Sequence, residues 1–357
     1  MADPVDWKMA RRVASKVAAR QPFADTYLDD QIVADFNEFT AQAEQLVGEA
    51  TGLWSTSGEA RARVAGRDMW IDANIASFQR LLRPLLDKMG DKMDDGIMAP
   101  VGSKVAGAEL GAMLGWMSSR VLGQYDLLVI EDENPEDQDI VYYVGPNVVG
   151  LERKFAFDTR EFRLWLALHE VTHRAQFTGI PWLREHFLGL VQGTMDSVDP
   201  DPQRFLDGLK RGVDLKRAGE DPLADGGLMG LMASDEQREV LDQVAGLMSL
   251  LEGHGDVTMD RAGADQIPSQ ERFGRVLRGR RQSTRGFMKM FQRIMGIDAK
   301  IMQYQQGEEF IEAVESAGGP ELLDLAWLGP ENLPVITEIR DPKLWIARME
   351  QAQPEIA

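Results

Sequence analysis

The chain has 357 residues, 44% of them hydrophobic, which is enough for a core of ordinary size, and its formal net charge is −19. So acidic a surface repels phosphate backbones and anionic membranes, which argues against a nucleic-acid or membrane role. There is no cysteine, which excludes disulfides, thiolate metal ligands and a cysteine nucleophile, and fits a cytoplasmic location.

The N-terminal stretch MADPVDWKMARRVASKVAAR scatters its charges and has no apolar run, so no signal peptide is expected. Gln31 to Gly52 and Arg67 to Met89 read as amphipathic helices, with apolar residues three and four apart. Asp87 to Gly102 reads as a polar connection. Val105 to Gly123 is the most apolar window, but it contains Glu109 and Arg120. Its glycines, Gly107, Gly111 and Gly115, line one helix face and would let another backbone come close. A buried helix of a soluble protein is expected there, not a membrane span.

The period then changes. Asp126 to Glu131 and Ile140 to Val144, on either side of ENPEDQD, suggest a β-hairpin. Asp158-Thr-Arg-Glu161 is a capping box. It opens a helix with Phe162, Trp165, Leu166, His169 and His173 on one face, stopped by Gly179 and Pro181. Another helix is expected from about Trp182. Asp199 to Asp235 is loop-rich. Ser234-Asp-Glu-Gln237 is a second capping box, opening a helix through Val240, Val244, Met248 and Leu251. The basic stretch Arg272 to Arg293 is expected to dock on acidic parts of the same protein. A helix follows from Ala299 to Val314, and the proline-punctuated tail should pack through Trp327 and Trp345. The fold class is mainly α with a small β-hairpin or sheet (α+β). One domain is expected over residues 1–357, with a helical part to about 123, a metal-site core over about 124–260 and a helical C-terminal part.

His169-Glu170-Val171-Thr172-His173 carries the chemistry. Positions four apart on a helix lie one above the other, so His169 and His173 can offer two imidazole nitrogens to one Zn²⁺ ion. Glu170, between them, is placed to take a proton from water. A third ligand is needed. The short-spaced metzincin pattern fails, because Gln176 and Gly179 stand where it needs glycine and histidine. Glu252, His254, His186 and Glu185 are the candidates. Tyr304 could donate a hydrogen bond to an oxyanion, although a core role is the simpler reading. Glu252 and Asp256 form a Glu-x-x-x-Asp pair that resembles the thermolysin-like gluzincins. That resemblance makes Glu252 the first choice of ligand and Asp256 the carboxylate that orients a ligand histidine. His254 and His186 are then alternative ligands or transition-state donors.

Four stretches carry a wider resemblance: YYVGPNVVGLERKFAFDTREFRLWLALHEVTHRAQFTGIPWLREHF, SLLEGHGDVTMD, IDAKIMQYQQGEEF, and the terminal LGPENLP with DPKLWIARM. They resemble the zincin-like proteins of actinobacteria and Chloroflexi, described as zinc-dependent metallopeptidases or hydrolases, some of them linked to biosynthesis of a deazaflavin coenzyme. The resemblance implies a helical zincin-like core around the HEVTH helix, with His169, His173 and Glu252 on zinc and Glu170 as general base. The resemblance bears on the metal site more than on proteolysis, and a peptide or amide substrate is the expectation that a zinc-activated water with Glu170 as base carries. A non-peptide amide substrate, or a zincin core kept as an inactive interaction scaffold, are the competing expectations.

Overall fold

The computed structural model describes residues 4–23, 30–92, 99–125, 139–197, 235–283 and 304–352. The expected Asp126–Glu131 strand, nearly all of the Asp199–Asp235 loop and the second half of the basic stretch lie outside them. The chain forms two compact units, residues 1–179 with 258–273, and residues 180–257 with 274–357.

In the first unit, α1 (Trp7–Ala18) lies along α4 (Ala99–Met117). The glycine spacing explains the pairing. A Cβ at Gly107, Gly111 or Gly115 would run into the backbone carbonyls of Asp6, Ala10 and Ala14 respectively. Ala10, Ala14 and Ala18 are buried in return. No described helix is long and apolar enough to cross a membrane.

The expected connection from Asp87 to Gly102 is corrected. α3 (Arg67–Lys92) runs past Met89, and α4 already begins at Ala99. Pro100 sits in the first turn of α4, where its missing N–H is no loss.

Among the described residues the sheet has three strands, ordered β1 (Arg61–Ala65), β3 (Ile140–Val144), β2 (Gly123–Tyr125). β3 is central, and all five of its residues are buried, as its β-branched and aromatic composition requires. β1 pairs with it in parallel and β2 antiparallel, with Gly123 opposite Tyr143. The antiparallel partner of Ile140–Val144 therefore begins three residues before the expected strand.

α5 (Gly145–Phe155) leads to α6 (Thr159–Gly179), which packs on α2 (Asp30–Thr51). Thirteen α6 residues are buried, more than one amphipathic stripe supplies. Two of them are arginines. Arg163 donates to Glu152 through Nε (2.8 Å) and to Asp35 through Nη1 (2.7 Å). Arg174 donates to Glu44 (2.6 Å), Asp139 (2.6 Å) and the Gly58 carbonyl (2.8 Å). Phe157, Phe162, Trp165 and Phe273 close the other side of the helix as an aromatic cluster.

The second unit contains α7 (Leu183–Ser197), most of α8 (Asp235–Gly263) and of α9 (Gln270–Ser283), and α10 (Tyr304–Gly318), α11 (Pro320–Asp324), α12 (Ile336–Arg340) and α13 (Pro342–Ala352). α8 and α10 cross with backbones in contact. A Cβ at Gly253 would meet Gly307, and one at Gly307 would meet the Ser249 carbonyl. The tail packs as expected. Trp345 is fully buried and donates from Nε1 to the Asn332 carbonyl (2.7 Å), and the Trp327 carbonyl accepts from Trp182 Nε1 (3.0 Å).

Two outcomes follow from this packing. Gly111→Ala should lose about 1–3 kcal/mol in urea unfolding, because the Ala10 carbonyl cannot yield to a Cβ, whereas Gly102→Ala, with open space around it, should be neutral or stabilising by up to about 1 kcal/mol. Arg174→Met should cost about 3–5 kcal/mol by leaving Glu44 and Asp139 without their cation, and the triple change with Glu44→Gln and Asp139→Asn should recover much of that.

Candidate metal centre

α6 opens as its sequence dictates, with one difference. Asp158 accepts from the Glu161 backbone N–H (3.0 Å), but the Glu161 carboxylate accepts from the Ser269 N–H (2.9 Å), so it is the cap and not the full box that forms. Further along the helix, the His169 and His173 rings stand at 86° with centroids 4.7 Å apart, and their Nε2 atoms face each other at 3.2 Å. Both side chains are half-buried.

His169, His173 and Glu252 each offer one ligand atom, and the three atoms lie within 4.8 Å of one another. This group could hold a metal ion. Zinc binds imidazole nitrogen at about 2.0–2.1 Å in a tetrahedral set, which places two such nitrogens about 3.3 Å apart. The spacing of the two Nε2 atoms matches that, and two imidazoles with a carboxylate are the donor chemistry zinc takes.

Glu170 is buried, at 7% exposure. A Cβ on Gly123 would come within 2.6 Å of its Oε1, so the backbone of β2 rests on this carboxylate. Glu170 also lies near Tyr143. Burial above all, and the Glu170 charge besides, push the Tyr143 hydroxyl far above its ordinary range, while its bond to Thr40 (2.8 Å) opposes them. Tyr143 is held from its other face by Phe36, stacked at 3.8 Å. On the far side of His173, Nδ1 lies 3.0 Å from Oε1 of Gln176, which is fully buried.

The remaining candidates are placed as follows. Asp256 is buried one turn along α8 from Glu252. His254 is buried with its ring edge-on to Trp327 at 5.2 Å. His186 stands edge-on to Trp182 at 5.9 Å, and burial pushes its pKa down, which favours the neutral imidazole. Glu185 is exposed. Neither His254, His186 nor Glu185 joins the three-residue group, and the Tyr304 side chain lies outside the described residues. Gly123, Tyr143, Arg174 and Gln176 were not singled out by the sequence as site residues. Gln176 was visible there only as a mismatch to the metzincin spacing.

A family profile described as zincin-like metallopeptidase matches residues 5–346. No curated protein matches the chain. The chain is similar to a solved structure from Chloroflexus aurantiacus, described as a candidate hydrolase with a novel fold. The identity is 30% over 97% of this chain and 99% of that one, with a TM-score of 0.73. With a profile match over nearly its whole length and a solved relative at this identity, the chain belongs to the zincin-like metallopeptidase family.

Proposed function

We propose that the protein is a zinc-dependent hydrolase of peptide or amide bonds, with His169, His173 and Glu252 as metal ligands and Glu170 as general base. The observation that carries this reading is the convergence of the two Nε2 atoms and a Glu252 oxygen, beside a buried glutamate whose position on α6 keeps it from ligating. A zinc ion bound there supplies Lewis acidity, polarising a scissile carbonyl and making water acidic enough to lose a proton near neutral pH.

The protein's own residues do the rest. Glu170 accepts the proton from water and passes it to the leaving amine. Gly123 is the residue that lets β2 lie on the Glu170 carboxylate, so this base cannot swing toward the strand. Among the described residues β2 is an edge strand of the sheet, and an extended substrate pairing with it would run past Glu170. Asp256 is the buried carboxylate suited to accept from the free nitrogen of a ligand imidazole, and His254 and His186 are the donors proposed for the oxyanion.

Metal analysis of the wild type and Glu252→Ala tests the ligand set. About one zinc per chain is expected in the first and a clear loss in the second, and a zinc-free wild type would favour an inactive scaffold. Glu170→Gln and Gly123→Ala should both keep zinc. Glu170→Gln should lower turnover of a peptide or amide substrate by at least about 10²–10⁴-fold, the usual contribution of a positioned base. Full turnover in Glu170→Gln would end the general-base assignment.

A further inference from the structure

We propose that Gln176 is a positioning residue that fixes His173 as a metal ligand through a neutral hydrogen bond, so that no carboxylate charge is added on this side of the His173 ring. The proposal rests on the metal-centre reading above. Gln176 Oε1 lies 3.0 Å from His173 Nδ1, one turn along the same helix. An amide oxygen can only accept, so Nδ1 carries the proton and Nε2, on the opposite side of the ring, keeps the lone pair that faces His169 Nε2 at 3.2 Å. With the opposite tautomer His173 would present an N–H where a ligand is needed. Gln176 is fully buried, and its own backbone holds it in α6, so the acceptor is preorganised and water does not compete for it.

The choice of an amide has a consequence. A carboxylate in this position makes the same hydrogen bond and adds a negative charge, which raises the basicity of the ligand imidazole. Glu252 and Glu170 already bring carboxylates to the proposed centre, and Asp256 is assigned to the other ligand imidazole. A further carboxylate against His173 would bind the ion more tightly and weaken its pull on a substrate carbonyl. The amide holds the ring without that effect.

The test uses the full chain with Gln176→Met, close in size but without an acceptor, and Gln176→Glu, which keeps one. Zinc dissociation constants are read by competition with a chelator, and the visible spectrum of the cobalt-loaded proteins is recorded beside them. Gln176→Met should bind zinc about 10–100-fold more weakly than wild type and shift the cobalt bands, while Gln176→Glu restores or exceeds wild-type affinity. Wild-type affinity in Gln176→Met overturns the proposal and leaves the metal centre standing. A wild type that binds no zinc overturns both. Should Gln176→Met fail to fold, the imidazole nitrogen resonances of the zinc-loaded wild type decide: a protonated, hydrogen-bonded Nδ1 on His173 upholds the role, and a metal-bound or bare Nδ1 refutes it.

Discussion

The structure depends on the burial of α6 on almost every side while it carries two guanidinium groups. Taking a charge out of water costs several kcal/mol unless it is paired. Arg163, six residues before His169, is answered by Glu152 and Asp35, and Arg174, next to His173, by Glu44 and Asp139. Asp35 and Glu44 both belong to α2, so the same neighbouring helix is tied to α6 on both sides of HEVTH. Any rotation or slide of α6 would strand at least one buried charge. The clamps therefore select one setting of the helix more than they add net stability, and that setting is the one in which Glu170 lies against the backbone of β2. Asp139 takes part at a backbone cost. Its φ of 54° lies in the left-handed region, which aspartate tolerates better than most residues, and the Tyr125 hydroxyl donates to the same carboxylate at 3.1 Å. One side chain thus joins the entry of β3, the end of β2 and α6.

Glycine does for the site what arginine does for the helix. Gly123 brings the β2 backbone against the Glu170 carboxylate, and Gly253, the neighbour of Glu252, brings α8 onto Gly307 of α10. In both places a residue assigned a role in the proposed reaction stands at a backbone contact that a single methyl group would break. Backbone contacts of this kind have few degrees of freedom, so the side chains they carry begin from fixed Cα positions and need little ordering when an ion or a substrate arrives.

What was legible in the sequence follows the range of the interaction. HEVTH, the Asp158 cap, the stop at Gly179 and the glycine face of α4 are local patterns, and each is found where its residues put it. The Glu-x-x-x-Asp pair on α8 was legible for the same reason, as a helical spacing with a chemical meaning. β1 was not, because RARVA is short and charged and becomes a strand only by pairing in parallel with a segment nearly eighty residues away. The carboxylates that face Arg174 come from residues 35 and 130 positions away in the chain, and no spacing rule reaches that far. Glu161 shows the same limit on a small scale. Its capping-box spacing is correct, yet the Ser269 N–H takes the carboxylate instead. Of the basic stretch, Arg272 behaves as expected of a residue docked on its own protein. It donates to the Ala156 carbonyl (3.1 Å) and to that of Phe155, beyond the last turn of α5, where a positive charge meets the negative end of the helix.

The charge at the centre can be followed one layer further in. Tyr143 lies on the central strand, directly opposite Gly123 of β2, and its hydroxyl is bonded to Thr40 within a buried, stacked environment. Burial and the Glu170 charge both disfavour a phenolate there and favour the neutral Tyr143 hydroxyl. A neutral Tyr143 adds no charge beside Glu170, and the neutral Gln176 adds none beside His173. On a chain with a net charge of −19, neutral buried groups such as Tyr143 and Gln176 limit the negative charge beside the two histidines, and in the reaction proposed above that charge would govern how strongly a divalent ion acts on a substrate.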